Sequence, residues 1–285
     1  MTAVLTPAPT APSAVRPQPE PAGVRTMLAD TWVYARRNLE HIRQIPEKLL
    51  DVTIQPLMFT VLFAYVFGGA IDVGGSYREY LIGGILVQTL VFGMMGPATS
   101  IATDLQEGVI DRFRSLPASN GAYMLGHVMA ELAGMCLAIT ILLGAGYAVG
   151  WRVHTGPADV VMALLLMVCF AAAMIWVGTW LGEIVRSPDA VMGIGFTVVF
   201  PLTFMSSAFV PIATMPTWLQ YIASWNPVSA FAAAMRTLFG NPLAPVTHDT
   251  WPLSHPVAAS WIYTAIIFAI AVPMALRGFR KRTAD

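Results

Sequence analysis

The chain has 285 residues, of which 56% are hydrophobic and only 11% charged, where an average soluble domain carries roughly 25% charged residues. Its formal net charge is zero and its mean hydropathy is +0.64, which argues against a water-soluble domain and against nucleic acid or another strongly charged partner. This composition suits one polytopic membrane domain.

Residues 1–24 are rich in Pro, Ala and Thr with no apolar core, and read as a disordered cytoplasmic tail rather than a secretory signal. Leu28, Trp32, Ala35, Leu39 and Ile42 then recur at spacings of four and three, while Arg36, Arg37, Glu40 and Arg43 fall on other faces. This pattern predicts an amphipathic helix lying flat in the cytoplasmic headgroups, ended or kinked by Pro46. A cytosolic helix packed on a partner has the same pattern.

Five segments lack Asp, Glu, Lys and Arg for about a bilayer's thickness: Val52–Ile71, Leu81–Thr103, Leu132–Trp151, Val160–Gly182 and Pro256–Leu276. A further uncharged run, Ala190–Met235, is more than twice the ~20 residues that a crossing needs. Pro201, Pro211, Pro216 and the pair Asn226-Pro227 interrupt it, so it cannot be one straight helix. Ala190 to about Val210 reads as one crossing. Pro216–Met235 reads as dipping in and returning on the outer side through two half-helices, with Trp218, Tyr221 and Trp225 at the interface.

With a cytoplasmic N-terminus, six crossings place all Lys and Arg inside except Arg78, Arg152 and Arg236, in accord with the positive-inside rule. A seventh would put the terminal Arg277-Gly-Phe-Arg-Lys-Arg282 cluster outside.

Between the second and third crossings, Thr103–Pro117 predicts a short docking helix. Thr103 would cap it with Gln106 three residues on, and Asp104 and Glu107 suit its first turn. Leu105, Val109 and Phe113 form an apolar stripe, leaving Asp111, Arg112 and Arg114 to water or a partner.

Cys136 and Cys169 lie in different apolar segments without Cys-x-x-Cys spacing and read as small apolar side chains. His127, Glu131 and Glu183 fall near the cytoplasmic boundary, within reach of water or Arg186, and read as a structural polar cluster; a proton relay is the functional alternative. His154, His248 and His255 read as isolated on the outer side, with no metal-ligand spacing. The chain has no Gly-x-x-x-x-Gly-Lys-Ser/Thr loop to cradle phosphates, and its only lysines, Lys48 and Lys281, lie in no glycine-rich context, so ATP hydrolysis must come from another chain.

Seven stretches carry a family resemblance: Val66-Phe-Gly-Gly-Ala-Ile71, Gly84-Ile-Leu-Val-Gln-Thr89, Asp111-Arg-Phe-Arg-Ser-Leu-Pro117, Arg186-Ser-Pro-Asp-Ala-Val-Met192, Phe200-Pro-Leu-Thr-Phe204, Met215-Pro-Thr-Trp-Leu-Gln220 and Asn226-Pro-Val-Ser229. The loop at Asp111–Pro117 and the spacing from Asn226-Pro227 to Arg236 are the most specific. The chain resembles the membrane subunit of ABC-2 type ATP-binding-cassette exporters, in particular the daunorubicin/doxorubicin-resistance permease group of actinobacteria.

That resemblance implies an all-α integral membrane domain over residues 25–285. It implies six transmembrane helices, an N-terminal interfacial helix, a cytoplasmic coupling helix, and an outer re-entrant hairpin between the fifth and sixth helices. It implies a bacterial plasma membrane location with both termini cytoplasmic, and two copies seated on two cytosolic ATPase subunits. Those subunits would use ATP and Mg, while this chain binds no cofactor or metal. The coupling residues it implies are Leu105, Glu107, Val109, Asp111, Arg112, Phe113 and Arg114. The pathway would run between the second and fifth helices of the two copies, past Gln88, Thr89, Phe92, Met95, Thr197, Phe200, Phe204, Met205 and Ser206. The cargo class is a hydrophobic or amphipathic compound such as an antibiotic or drug, with a lipid or polysaccharide as alternative. A secondary transporter predicts paired broken helices, and a membrane-embedded enzyme needs a convergent His, Asp or Glu set; the sequence offers neither.

Overall fold

The computed structural model describes residues 46–107, 120–185, 187–243 and 250–284, and every regular element among them is helical. The tail, the amphipathic helix and the stretch 108–119 lie outside the described residues.

Helix α1 (Pro46–Leu62) runs on into a π-helical turn, Phe63–Phe67. Helices α2 (Tyr77–Phe92) and α3 (Met95–Gln106) join across Gly93 and Met94 into one 30-residue rod. Then follow α4 (Asn120–Val149), α5 (Pro157–Ile184), α6 (Pro188–Phe204), the short pair α7 (Thr217–Trp225) and α8 (Pro227–Phe239), the single turn α9 (Trp251–Ser254), and α10 (Pro256–Ala284).

Four of these rods are long and apolar enough to cross a bilayer: Tyr77–Gln106, Met124–Val149, Pro157–Ile184 and Pro256–Gly278; Ile54–Phe67 and Pro188–Phe204 are shorter. The chain is thus a multi-pass membrane protein. Proline marks several starts, because its missing N–H falls where a helix has no acceptor for it: Pro157, Pro188 and Pro227 open α5, α6 and α8. Asn226 accepts from the Val228 amide at 2.8 Å, and α8 closes on Gly240 in the left-handed region, φ 68°. The expected break at Asn226-Pro227 is therefore the α7–α8 junction.

The stretch from Ala190 to about Val210, expected as one crossing, is helical to Phe204, and residues 205–211 form an irregular turn. One expectation needs correction. Thr103 caps no new helix; it lies within α3, its hydroxyl donating to the Thr99 carbonyl at 2.9 Å. A threonine bonding four residues back and a capping threonine look alike in sequence, and the continuous rod selects the first.

Helix α5 lies against α3. Gly178 and Gly182, one turn apart, take the carbonyls of Met94 and Ala98 into the space their side chains would fill. Small residues at such spacing let helices approach closely enough for dispersion to hold them together where lipid supplies no hydrophobic drive.

Candidate functional site

The irregular turn after α6 places non-helical and helix-terminal backbone inside an apolar protein, where unpaired carbonyls are costly. Seven carbonyls of residues 201–209 find donors there. Pro201 accepts from the Met205 amide, and Thr203 from the Ser206 hydroxyl. Leu202 and Met205 both accept from Asn226 Nδ2, at 2.7 and 2.9 Å. The Ser207 carbonyl accepts from the Tyr80 hydroxyl and Arg236 Nη2, and the Ala208 carbonyl from the same Nη2 at 3.0 Å. Phe209 accepts from the Tyr77 hydroxyl.

Arg236 is the most deeply engaged charge among the described residues. The sequence assigns it to the outer side, and in the structure it is 2% exposed. Its side chain packs beside Gly83, with Nε donating to the Tyr80 carbonyl. Its charge is spread over carbonyl dipoles and the face of the Tyr80 ring, an arrangement for which the planar guanidinium fork is suited and a lysine is not.

From this turn a seam runs between the α2–α3 rod and α6. Gly84 meets the backbone of Ala208, Phe92 meets Phe196 edge-on at 5.8 Å, and Met95 fills the place of a side chain at Gly195. Gly84, Gln88 and Phe92 are successive turns of one face, so Gln88 faces the seam between two observed contacts.

The structure places the nine pathway candidates unevenly. Gln88, Thr89, Met95 and Ser206 are buried, Phe92, Phe204 and Met205 half-buried, and Thr197 and Phe200 exposed. The Thr89 and Thr197 hydroxyls donate to the carbonyls four residues back, Ile85 and Gly193. Ser206 donates to Thr203 and accepts from the Ala208 amide.

Sequence reasoning named Phe200 and Phe204 but missed the aromatic column that they join. Phe200 stacks on Phe204 at 4.2 Å, Phe204 on Phe209 at 5.2 Å, Phe209 on Phe63 at 4.7 Å, and Phe63 on both Phe59 and Phe67. It joins α6 to α1 and is exposed at Phe200 and Phe67. Its sequence signals were spacings of four at Phe59, Phe63 and Phe67 and at Phe200 and Phe204.

At the same end, His154 Nε2 lies 2.8 Å from the Glu79 carboxylate, so His154 is not isolated. Trp151 donates to Asn241 at 2.6 Å, and Asn241 Nδ2 donates to the Arg152 carbonyl. These contacts fasten the α4–α5 loop to α2 and to the end of α8.

At the opposite end, Leu105 packs beside a cluster of Met124, Val128, Ile175, Trp176, Ala271 and Ala275, while Glu107 is exposed. Val109, Asp111, Arg112, Phe113 and Arg114 lie outside the described residues. His127 and Glu183 are buried; Glu131 lies near Gly96 of α3, and the Glu183 carboxylate lies against Gly278 of α10.

The family model for ABC-2 type transporter matches residues 29–239, which takes in the rod, the seam and the α7–α8 pair. The chain belongs to the ABC-2 type transporter family. The permease is 31% identical over 260 residues to the daunorubicin resistance ABC transporter permease protein of Streptomyces coeruleorubidus, covering 91% of this chain and 89% of the relative. It is 25% identical over 229 residues to the doxorubicin resistance ABC transporter permease protein of Mycobacterium tuberculosis, covering 77% and 79%. It is a membrane subunit of a transporter, not an enzyme.

Proposed function

We propose that this permease carries a flat hydrophobic or amphipathic compound, of the anthracycline type named for its relatives, out of the cell when two copies pair on two cytosolic ATPase subunits. The observation that carries this reading is the aromatic column beside the seam. Stacked phenyl faces exposed at Phe200 and Phe67 offer a planar apolar molecule contact without demanding a fixed geometry.

In this reading α1, α2–α3, α4, α5, α6 and α10 are six crossings of the plasma membrane with both termini inside. The α7–α8 pair is a re-entrant hairpin on the outer side. The charge distribution supports that orientation. Helix α6, 17 residues long, spans about 26 Å, and the turn held by Arg236 and Asn226 completes its passage. ATP-driven closure of the partner subunits pushes on Leu105–Leu116, and the paired permeases alternate between inward-open and outward-open states.

The test is uptake of daunorubicin into inverted vesicles holding the permease, with and without its ATPase. ATP-dependent uptake requiring both chains supports the proposal. Uptake driven by a proton gradient without ATP would overturn it in favour of a secondary transporter.

A further inference from the structure

Gln88 is 4% exposed, and its Nε2 makes no hydrogen bond. It faces the seam between the Gly84–Ala208 contact and the Phe92–Phe196 contact. A primary amide buried among apolar groups with an idle donor costs free energy that leucine, of similar size, would not. The other polar candidates have no idle donor: the Thr89 and Thr197 hydroxyls donate within their own helices and Ser206 donates to Thr203. Whatever enters the seam as a hydrogen-bond acceptor therefore has one side-chain donor to meet among these four.

We infer that Gln88 is a specificity-determining residue, whose amide donates to a carbonyl or similar acceptor on a flat apolar cargo lying between the α2–α3 rod and α6. This rests on the exporter reading for its physiological meaning. The aromatic column provides affinity for any planar hydrocarbon face, and Gln88 separates molecules with an acceptor from those without. A site built to hydrogen-bond its ligand discriminates against an analogue that leaves the polar group unpaired.

Anthraquinone and anthracene share a tricyclic plane and differ in two carbonyl acceptors, so they are the probes. Binding of each is measured on purified permease in lipid nanodiscs against empty nanodiscs, for wild type and Gln88→Leu, together with the melting temperature of the ligand-free protein. Wild type should favour anthraquinone over anthracene by about fivefold to tenfold. Gln88→Leu should abolish that preference and raise the melting temperature by removing an unpaired amide.

An unchanged preference in Gln88→Leu overturns the inference, and so does wild type that binds neither probe. A lower melting temperature overturns it whatever the preference, because the amide would then have a structural partner. If Gln88 sets the preference but vesicles with the ATPase accumulate no daunorubicin, the exporter reading fails and the contact stands.

Discussion

The guanidinium carbon of Arg236 lies 3.4 Å from the centre of the Tyr80 ring, while Nε of the same arginine donates to the Tyr80 carbonyl at 2.8 Å. One residue of α2 thus holds one residue of α8 by two different interactions. Arg236→Met leaves the Ala208 carbonyl without its donor and should cost about 3 kcal/mol or more. Arg236→Lys keeps the charge but not the fork and should be intermediate. Tyr80→Phe removes only the hydroxyl bond to Ser207 and should cost about 1 kcal/mol. Thermal unfolding of the purified permease checks the order; Arg236→Lys matching wild type would contradict it.

Asn226 combines a cap with a clasp. Aspartate and asparagine are nearly equivalent as helix caps, so an ordinary cap would tolerate Asn226→Asp. Here the substitution keeps the acceptor for the Val228 amide but replaces the Nδ2 donor to Leu202 and Met205 with an oxygen facing two carbonyls. Asn226→Asp should destabilise the permease at least as much as Asn226→Ala, by about 2 kcal/mol or more. Unfolding curves for the two variants decide it.

Gly178 and Gly182 carry the contact of α5 with α3. Gly182→Ala should force the helices apart around the Ala98 carbonyl and cost about 1–3 kcal/mol, the range for overpacking. Gly144 has open space where its side chain would be; Gly144→Ala should be neutral or slightly stabilising, since alanine is the better helix former. Detergent melting of both proteins tests the contrast.

Six crossings require single cysteines at Ser76, Thr217 and Thr247, in a background lacking Cys136 and Cys169, to label from outside with an impermeant maleimide. A cysteine at Ser119 should stay unlabelled in intact cells. The reverse pattern would refute the proposed orientation.

Phe113→Ala should remove an apolar anchor worth ~2 kcal/mol or more at a docking contact, and Arg112→Glu should reverse a charge there. Both should reduce co-purification with the ATPase while leaving membrane insertion unchanged. Wild-type assembly by both variants would reduce Thr103–Pro117 to a connector.

What could be read in advance follows from how strongly hydrocarbon penalises charge. Charge-free runs located the apolar helices, and Asn226-Pro227 located a break, because proline's constraint is local. Arg236 was legible as the end of a spacing from Asn226-Pro227, but its contacts were not. Most of its partners are backbone carbonyls, which every residue has, and the Tyr80 ring lies far away in sequence. The Phe59–Phe209 and Phe63–Phe209 contacts join residues far apart in sequence, and only the path of α6 into its irregular turn brings Phe209 to α1. The seam was legible as a list of candidates from a resemblance, but which hydroxyls were already engaged depended on rotamers.

The π-helical turn at Phe63–Phe67 acts as a correction to angular drift. Along an α-helix, a residue four places on overshoots its starting direction by about 40°, so three phenylalanines at that spacing would spiral away from one another. The wider turn undershoots, and the second step offsets the first. Phe59, Phe63 and Phe67 consequently stay in file, with successive centroids 5.8 and 5.1 Å apart. The irregularity is a vernier: it keeps the rings aligned over a length at which an unbroken helix would have turned the last of them away.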